Sequence, residues 1–154
     1  MTKPLAVITG ASSGIGEATA KVFSEAGYPT LLLARRIEIM ESFNLKNSIC
    51  KKVDVRDRDA LVAAVREAEA IYGPTDMMFN NAGVARLADI STQDPNEWDE
   101  MIDVNTKGVM NGIYAVMSDM KARKSGTIVN MSSIAGRKVY EDHTVYCGTK
   151  YFVH

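Results

Sequence analysis

Apolar residues fall into five short runs along the chain, and between the runs their spacing stretches to every third or fourth position. Leu5-Ala6-Val7-Ile8-Thr9 is the first run, ending at glycine, after which Ile15, Ala18, Val22 and Ala26 recur at helical spacing until Gly27. This reads as strand, glycine turn, helix. A second run, Thr30–Ala34, follows a Tyr28-Pro29 break, and a third, residues 49–55, follows a weakly helical stretch at 37–45. Uninterrupted apolar runs predict strands buried on both faces.

Asp57 is placed to cap a helix whose stripe is Leu61, Val62, Val65, Ala68 and Ile71, and Gly73-Pro74 stops it before the run Met77-Met78-Phe79. Asp94-Pro95-Asn96-Glu97 combines an acidic cap, a proline at the first helical position and a glutamate spaced for a capping box. One long helix is predicted from there toward Lys121. Residues 127–131 form the fifth run, and 144–154 look like the first turns of a last helix. Strands that alternate with helices predict an α/β fold, a doubly wound parallel sheet of the Rossmann type in three layers. Ligands bind such sheets at the carboxyl ends of the strands.

Size and charge narrow the picture. With 154 residues, 46% of them hydrophobic, the chain is long enough for one core and short for two, so residues 1–154 read as a single domain. A formal charge of −1 gives no global field that would favour nucleic acid or an anionic membrane. No apolar run approaches the roughly 18 residues of a membrane helix, and a cytoplasmic address is expected. Cys50 and Cys147 offer neither a disulfide framework nor metal-ligand spacing, so no metal is expected.

Gly10, Gly14 and Gly16 sit in the segment Thr9-Gly10-Ala11-Ser12-Ser13-Gly14-Ile15-Gly16, between the first strand and its helix. Glycines at this spacing let the chain turn sharply, approach a pyrophosphate and pack the helix closely, while free N–H groups and the helix dipole favour anions. A nucleotide-hydrolase loop would need Gly-Lys-Ser/Thr, whereas Gly16 is followed by Glu17 and Ala18. Dinucleotide folds read the adenosine ribose at the end of the second strand, with an acid for a free 2′-hydroxyl or an arginine for a 2′-phosphate. Ala34-Arg35-Arg36 stands there with no acid. An arginine fork matches phosphate in charge and shape, so Arg35, helped by Arg36, is expected to favour NADP over NAD.

Four motifs now converge in order: Thr9 to Gly16 fits TGxxxGxG, Asn80-Asn81-Ala82-Gly83 fits NNAG, Ser133 precedes a tyrosine by thirteen residues, and Tyr146 to Lys150 fits YxxxK. The chain resembles the short-chain dehydrogenase/reductase superfamily over essentially its whole length. That resemblance implies a nicotinamide-dependent oxidoreductase acting on a small carbonyl or alcohol, usually a homodimer or homotetramer. It implies that Gly10, Ser12, Ser13, Gly14, Ile15 and Gly16 cradle the cofactor, that Asp54 and Val55 contact the adenine, and that Asn81, Ala82 and Gly83 pass the adenosine ribose. Asn105 matches the asparagine of a catalytic tetrad with Ser133, Tyr146 and Lys150. By sequence alone, Asn105 is a polar interruption in an apolar stripe that includes Met101, Val109, Val116 and Met120. That methionine-rich stripe fits a core or an interface equally well.

The chemistry gives these residues roles. Carbonyl reduction needs an acid beside the oxygen, and Tyr146 supplies it. Lys150, one helical turn on, is the cation that favours the phenolate and, by the resemblance, also holds the nicotinamide ribose. Ser133 would hold the forming alkoxide, with Ser132 as the alternative, and Asn105 would keep a water in line to relay protons past Lys150. His143 and His154 are given no role, and residues 139–143 are expected at the substrate entrance. Family members continue well past the YxxxK helix, so the domain is expected to be C-terminally incomplete. The rival reading is a non-catalytic nucleotide-binding fragment.

Overall fold

The computed structural model describes residues 3–154. Its centre is a five-stranded sheet of order β3-β2-β1-β4-β5, with every pairing parallel. The strands are β1 (Leu5–Thr9), β2 (Thr30–Ala34), β3 (Ser48–Lys52), β4 (Thr75–Asn80) and β5 (Thr127–Asn130). Helices α1 (Gly14–Glu25), α2 (Ile37–Ser42) and α3 (Arg58–Tyr72) alternate with the first four strands, and α4 (Pro95–Ile102), α5 (Gly108–Arg123) and α6 (Thr144–Val153) complete the chain.

The apolar runs of β1 and β2 are buried at every position because successive side chains enter opposite layers. Leu5, Val7, Leu31 and Leu33 pack with Leu61 and Val65 of α3 and Val116 of α5. Ile8, Leu32 and Phe79 pack on the other face with Ala20 of α1 and Met40 of α2. The sheet is therefore wound on both sides, a Rossmann-like three-layer α/β fold. Among the described residues, no helix is long and apolar enough to cross a membrane.

Four details differ from the sequence pattern. β3 is half-buried and ends at Lys52, because it is the outer strand of the sheet and its lysines reach solvent, Lys51 pairing with Glu67. Val53 and Val55 still join the core, from the turn after it. In α1 the buried residues are Gly16 and Ala20, while Ile15 and Val22 are 58% and 61% exposed. The helix lies so close to the strand ends that a Cβ on Gly16 would stand 2.4 Å from the Gly10 carbonyl oxygen, so the small residues face inward. In α3, likewise, Ile71 at the end of the predicted stripe is exposed.

The long helix predicted from Asp94 is two helices joined by a five-residue π-helical turn, Asp103–Lys107. Asp94 does cap α4, accepting from the Asn96 N–H at 2.9 Å, but the Glu97 carboxylate takes the Gln93 side-chain amide instead of closing a capping box. At the centre of the π turn Asn105 is 1% exposed. Its amide oxygen accepts from the Val84 N–H, and its amide nitrogen donates to the Val84 carbonyl and the Thr149 hydroxyl. A buried amide must find partners, and the widened turn coincides with the place where this one does.

Candidate active site

The carboxyl ends of β1, β4 and β5 meet at one place, and hydroxyls and amides hold them there. Thr9, the last residue of β1, accepts from the N–H groups of Asn81 and Ala82, both at 3.0 Å. The Asn81 side chain returns the contact, donating to the Thr9 and Gly10 carbonyls at 3.0 and 3.3 Å. The loop after β4 is thereby clamped onto the glycine loop. Gly10 has φ +64°, and a Cβ there would meet the Ala82 Cα at 2.8 Å, so only glycine fits the clamp. Asn81 thus acts first on the loop itself.

Ser13 is the N-cap of α1, yet its side chain makes no capping bond. Instead the hydroxyls of Ser12 and Ser13 each accept from Arg36 Nη2 at 3.1 Å. The first-turn N–H groups of α1 are left without a side-chain cap beside an arginine, an arrangement suited to an anion. The sequence points first to Arg35; it is Arg36 that is tethered to the loop, while Arg35 lines the same cleft.

An open cleft of about 510 Å³ runs over these strand ends. Gly10, Ser12, Ser13, Ile15, Arg35, Arg36, Asp54, Val55, Asn81, Ala82 and Gly83 line it, and so do Ser133, Tyr146 and Lys150. Gly14, Gly16 and Asn105 are absent from that lining. Gly16 and Asn105 act from behind the walls, and Gly14, at φ +57°, turns the chain into α1 with open space where a Cβ would be. Asp54 is gripped by Arg56 through the guanidinium and the main-chain N–H. The Arg56 hydrogen bond is the first reason that its carboxyl titrates below the usual carboxylate range.

At the other end α6 presents Tyr146 and Lys150 to the cleft on one helix face, as their spacing requires. Lys150 is 5% exposed, and its ammonium donates to the Met131 carbonyl at 2.8 Å. The same nitrogen lies 5.8 Å from the centre of the Tyr146 ring. Burial pushes the Lys150 ammonium below the ordinary lysine range. The α6 helix is anchored from below by Thr149, whose hydroxyl donates to the Tyr146 carbonyl and accepts from Asn105.

The two serines have different duties. Ser132 Oγ donates to the Lys150 carbonyl at 3.1 Å, so its proton is committed to holding α6. Ser133 Oγ accepts from the Ala135 N–H at 3.1 Å, starting the 3-10 turn Ile134–Gly136, and its proton has no acceptor among the described residues. His143 lies with its ring edge toward Tyr146, centroids 6.3 Å apart, its Nδ1 donating to the Glu141 carbonyl. The loop after β4 meets the segment 139–143, which does not line the cleft, where the Ala88 N–H donates to the Asp142 carbonyl. No group of three or more His, Cys, Asp or Glu side chains able to hold a metal occurs among the described residues.

Sequence reasoning missed Thr9 as the clamp, Ser132 as the tie to α6, Met131 as the ammonium's partner, and Val84 as the partner of Asn105. Thr9 stands inside the glycine motif and so carried a local signal. The others act through main-chain atoms or across long sequence separations, which no spacing rule reveals.

The chain is similar to known proteins over most of its length. A family model described as short chain dehydrogenase matches residues 4–154. An uncharacterized oxidoreductase of Staphylococcus saprophyticus is 44% identical over 151 residues, covering 96% of this chain and 61% of the relative. The chain therefore spans about three fifths of the length of that curated relative. Serine dehydrogenase of Escherichia coli superposes with a TM-score of 0.92 at 31% identity, covering 97% of this chain and 71% of the other. A gluconate 5-dehydrogenase of Burkholderia cenocepacia, in complex with NADP and tartrate, superposes with a TM-score of 0.87 at 30% identity, covering 99% and 62%. With residues 4–154 matched by that family model, the chain belongs to the short chain dehydrogenase family of oxidoreductases.

Proposed function

We propose that this chain carries the cofactor-binding and proton-transfer parts of an NADP(H)-dependent oxidoreductase that interconverts a carbonyl and a secondary alcohol, with Tyr146 as acid and base. The observation that carries the reading is Lys150. A buried ammonium has one carbonyl partner, Met131, and stands beside a phenol in the cleft that the glycine loop opens. An ammonium has three protons, and the others are free for a ribose hydroxyl and for polarising the phenol.

The residues present fit a dinucleotide phosphate. The uncapped start of α1 suits a pyrophosphate, and Arg36, held by Ser12 and Ser13 with Arg35 beside it, suits a 2′-phosphate. The adenine then falls against Asp54 and Val55. Bound nicotinamide supplies or accepts the hydride. Tyr146 gives its phenolic proton to the carbonyl oxygen, and the Ser133 hydroxyl donates to that oxygen as it becomes an alkoxide. Asn105 positions the turn: it holds Val84 and Thr149 beside Lys150, where a water relays protons past the ammonium. The NADP-bound gluconate 5-dehydrogenase supports the choice of cofactor.

The substrate is a small molecule, and assembly is a homodimer or homotetramer. Met110, Tyr114 and Met117 on α5 and Tyr151 and Phe152 on α6 expose apolar surface that a second copy would cover, whereas Met101 and Met120 of the same stripe belong to the core. A non-catalytic nucleotide-binding fragment is the second reading. Titration with NADPH and NADH, followed by a screen of carbonyl compounds for NADPH consumption, tests both. The oxidoreductase reading expects tighter NADPH binding and turnover; binding without turnover favours the fragment, and equal affinity for both cofactors removes the NADP assignment.

A further inference from the structure

We infer that Asn111, a residue of α5 outside the cleft, positions the wall against which the adenine lies. The inference rests on the dinucleotide reading above for the identity of the ligand. Asn111 is 3% exposed and every polar atom of its side chain is used. Its amide nitrogen donates to the Val55 carbonyl at 2.8 Å and to the Arg56 carbonyl at 3.3 Å, and its amide oxygen accepts from Arg58 Nε at 3.0 Å. Three segments are joined by one side chain: the exit from β3, the start of α3 and the first turn of α5.

The segment it grips is the one that needs gripping. Val53, Asp54 and Val55 line the cleft, yet they follow the end of β3, where sheet pairing stops at Lys52. Locally the turn is closed by the Asp57 N–H on the Asp54 carbonyl, and the Asp54 carboxylate is occupied by Arg56. Both contacts are internal to the turn, which is joined to the body of the protein at Val53, whose N–H donates to the Ala34 carbonyl, and by the packing of Val53 and Val55 in the core, while the Val55 and Arg56 carbonyls beyond it take a side-chain donor from Asn111. The bare Gly108 admits Val55 close to α5, where a Cβ would stand 2.7 Å from Val55 Cγ2. Without the Asn111 amide the two carbonyls lose their side-chain donor, and the wall relaxes away from the base.

A merely structural asparagine would weaken every ligand alike, whereas a positioning role at the adenine wall is selective. The 154-residue chain and its variants are titrated with 2′-phosphoadenosine 5′-phosphate, which occupies the adenosine end, and with reduced nicotinamide mononucleotide, which lacks it. Asn111→Ala is expected to weaken the adenosine ligand about 10-fold and leave the mononucleotide unchanged. Arg58→Ala, at an exposed residue outside the cleft whose Nε donates to Asn111 and whose guanidinium lies over the Tyr114 ring, is expected to weaken it about threefold in the same selective way, and decides the matter if Asn111→Ala does not fold. Equal weakening of both ligands, or an unchanged affinity for the adenosine ligand in both variants, overturns the inference while leaving the NADP(H) reading intact. A parent chain that binds neither NADPH nor 2′-phosphoadenosine 5′-phosphate overturns both.

Discussion

The two ends of the cleft are built by different means. At the glycine end one stretch of chain supplies most of the chemistry: Gly10 to Gly16 turn the chain and small residues bring α1 against the strand ends, with Arg36 on Ser12 and Ser13 and Asn81 on Thr9 and Gly10 as ties from elsewhere. At the tyrosine end, segments far apart in sequence must arrive together. Lys150 from α6 is held by Met131 after β5, Ser132 reaches back to the Lys150 carbonyl, and Asn105 from the π turn joins Val84 to Thr149. The first end is a local motif fastened by a few distant ties; the second is wholly a tertiary assembly around a buried charge. The proposed binding loop can be read largely from one stretch of chain, whereas the proposed proton-transfer site depends on distant main-chain atoms that carry no residue signature.

Substitutions that separate the ends should differ in kind as well as in size. Tyr146→Phe is expected to give the largest effect, roughly 10²- to 10⁴-fold in turnover of a carbonyl substrate with NADPH, with cofactor affinity little changed. An unchanged rate in steady-state assays would end the acid–base role. Gly16→Val acts at the other end, because its first added carbon meets the Gly10 carbonyl oxygen at 2.4 Å. Forcing the helix outward is expected to weaken NADPH by about 10- to 100-fold and to destabilise the fold by about 1–3 kcal/mol. Fluorescence titration and urea unfolding check the two parts.

The smallest effect sharpens the electrostatic contrast. Burial lowers the Lys150 ammonium from 10.5 in the folded chain. Between that lowered value and 10.5 the unfolded chain holds a proton that the folded chain has released. Stability contributed through this residue therefore rises with pH across that window and levels off above it. Lys150→Met is expected to remove the rise, seen as a flatter dependence of the urea midpoint on pH. An equally steep dependence in the variant would show that the ammonium is solvated in solution.

Much of this was legible in the chain. The runs of β1 and β2, the glycine turn, the Asp57 and Asp94 caps and the YxxxK face all follow from local rules, and the structure reproduces them. The misses share one cause. The outer position of β3, the inward face of α1 and the break at Asn105 are set by what lies opposite each element, and periodicity cannot report an opposite partner. Spacing alone favours Ser133 over Ser132, while the structure adds a physical distinction, that the Ser132 proton is already bound to the Lys150 carbonyl.

By itself the sequence determined the alternation of strand and helix, the family, and the residue types available for phosphate binding and proton transfer, because these depend on near neighbours and on side-chain chemistry. Only the tertiary structure decided that Lys150 answers to the Met131 carbonyl, that Arg36 is the arginine tied to the glycine loop, and that Asn111 grips the turn after β3. Those contacts join atoms 19 to 56 positions apart, many of them main-chain carbonyls that every residue possesses, so only the folded chain could single them out.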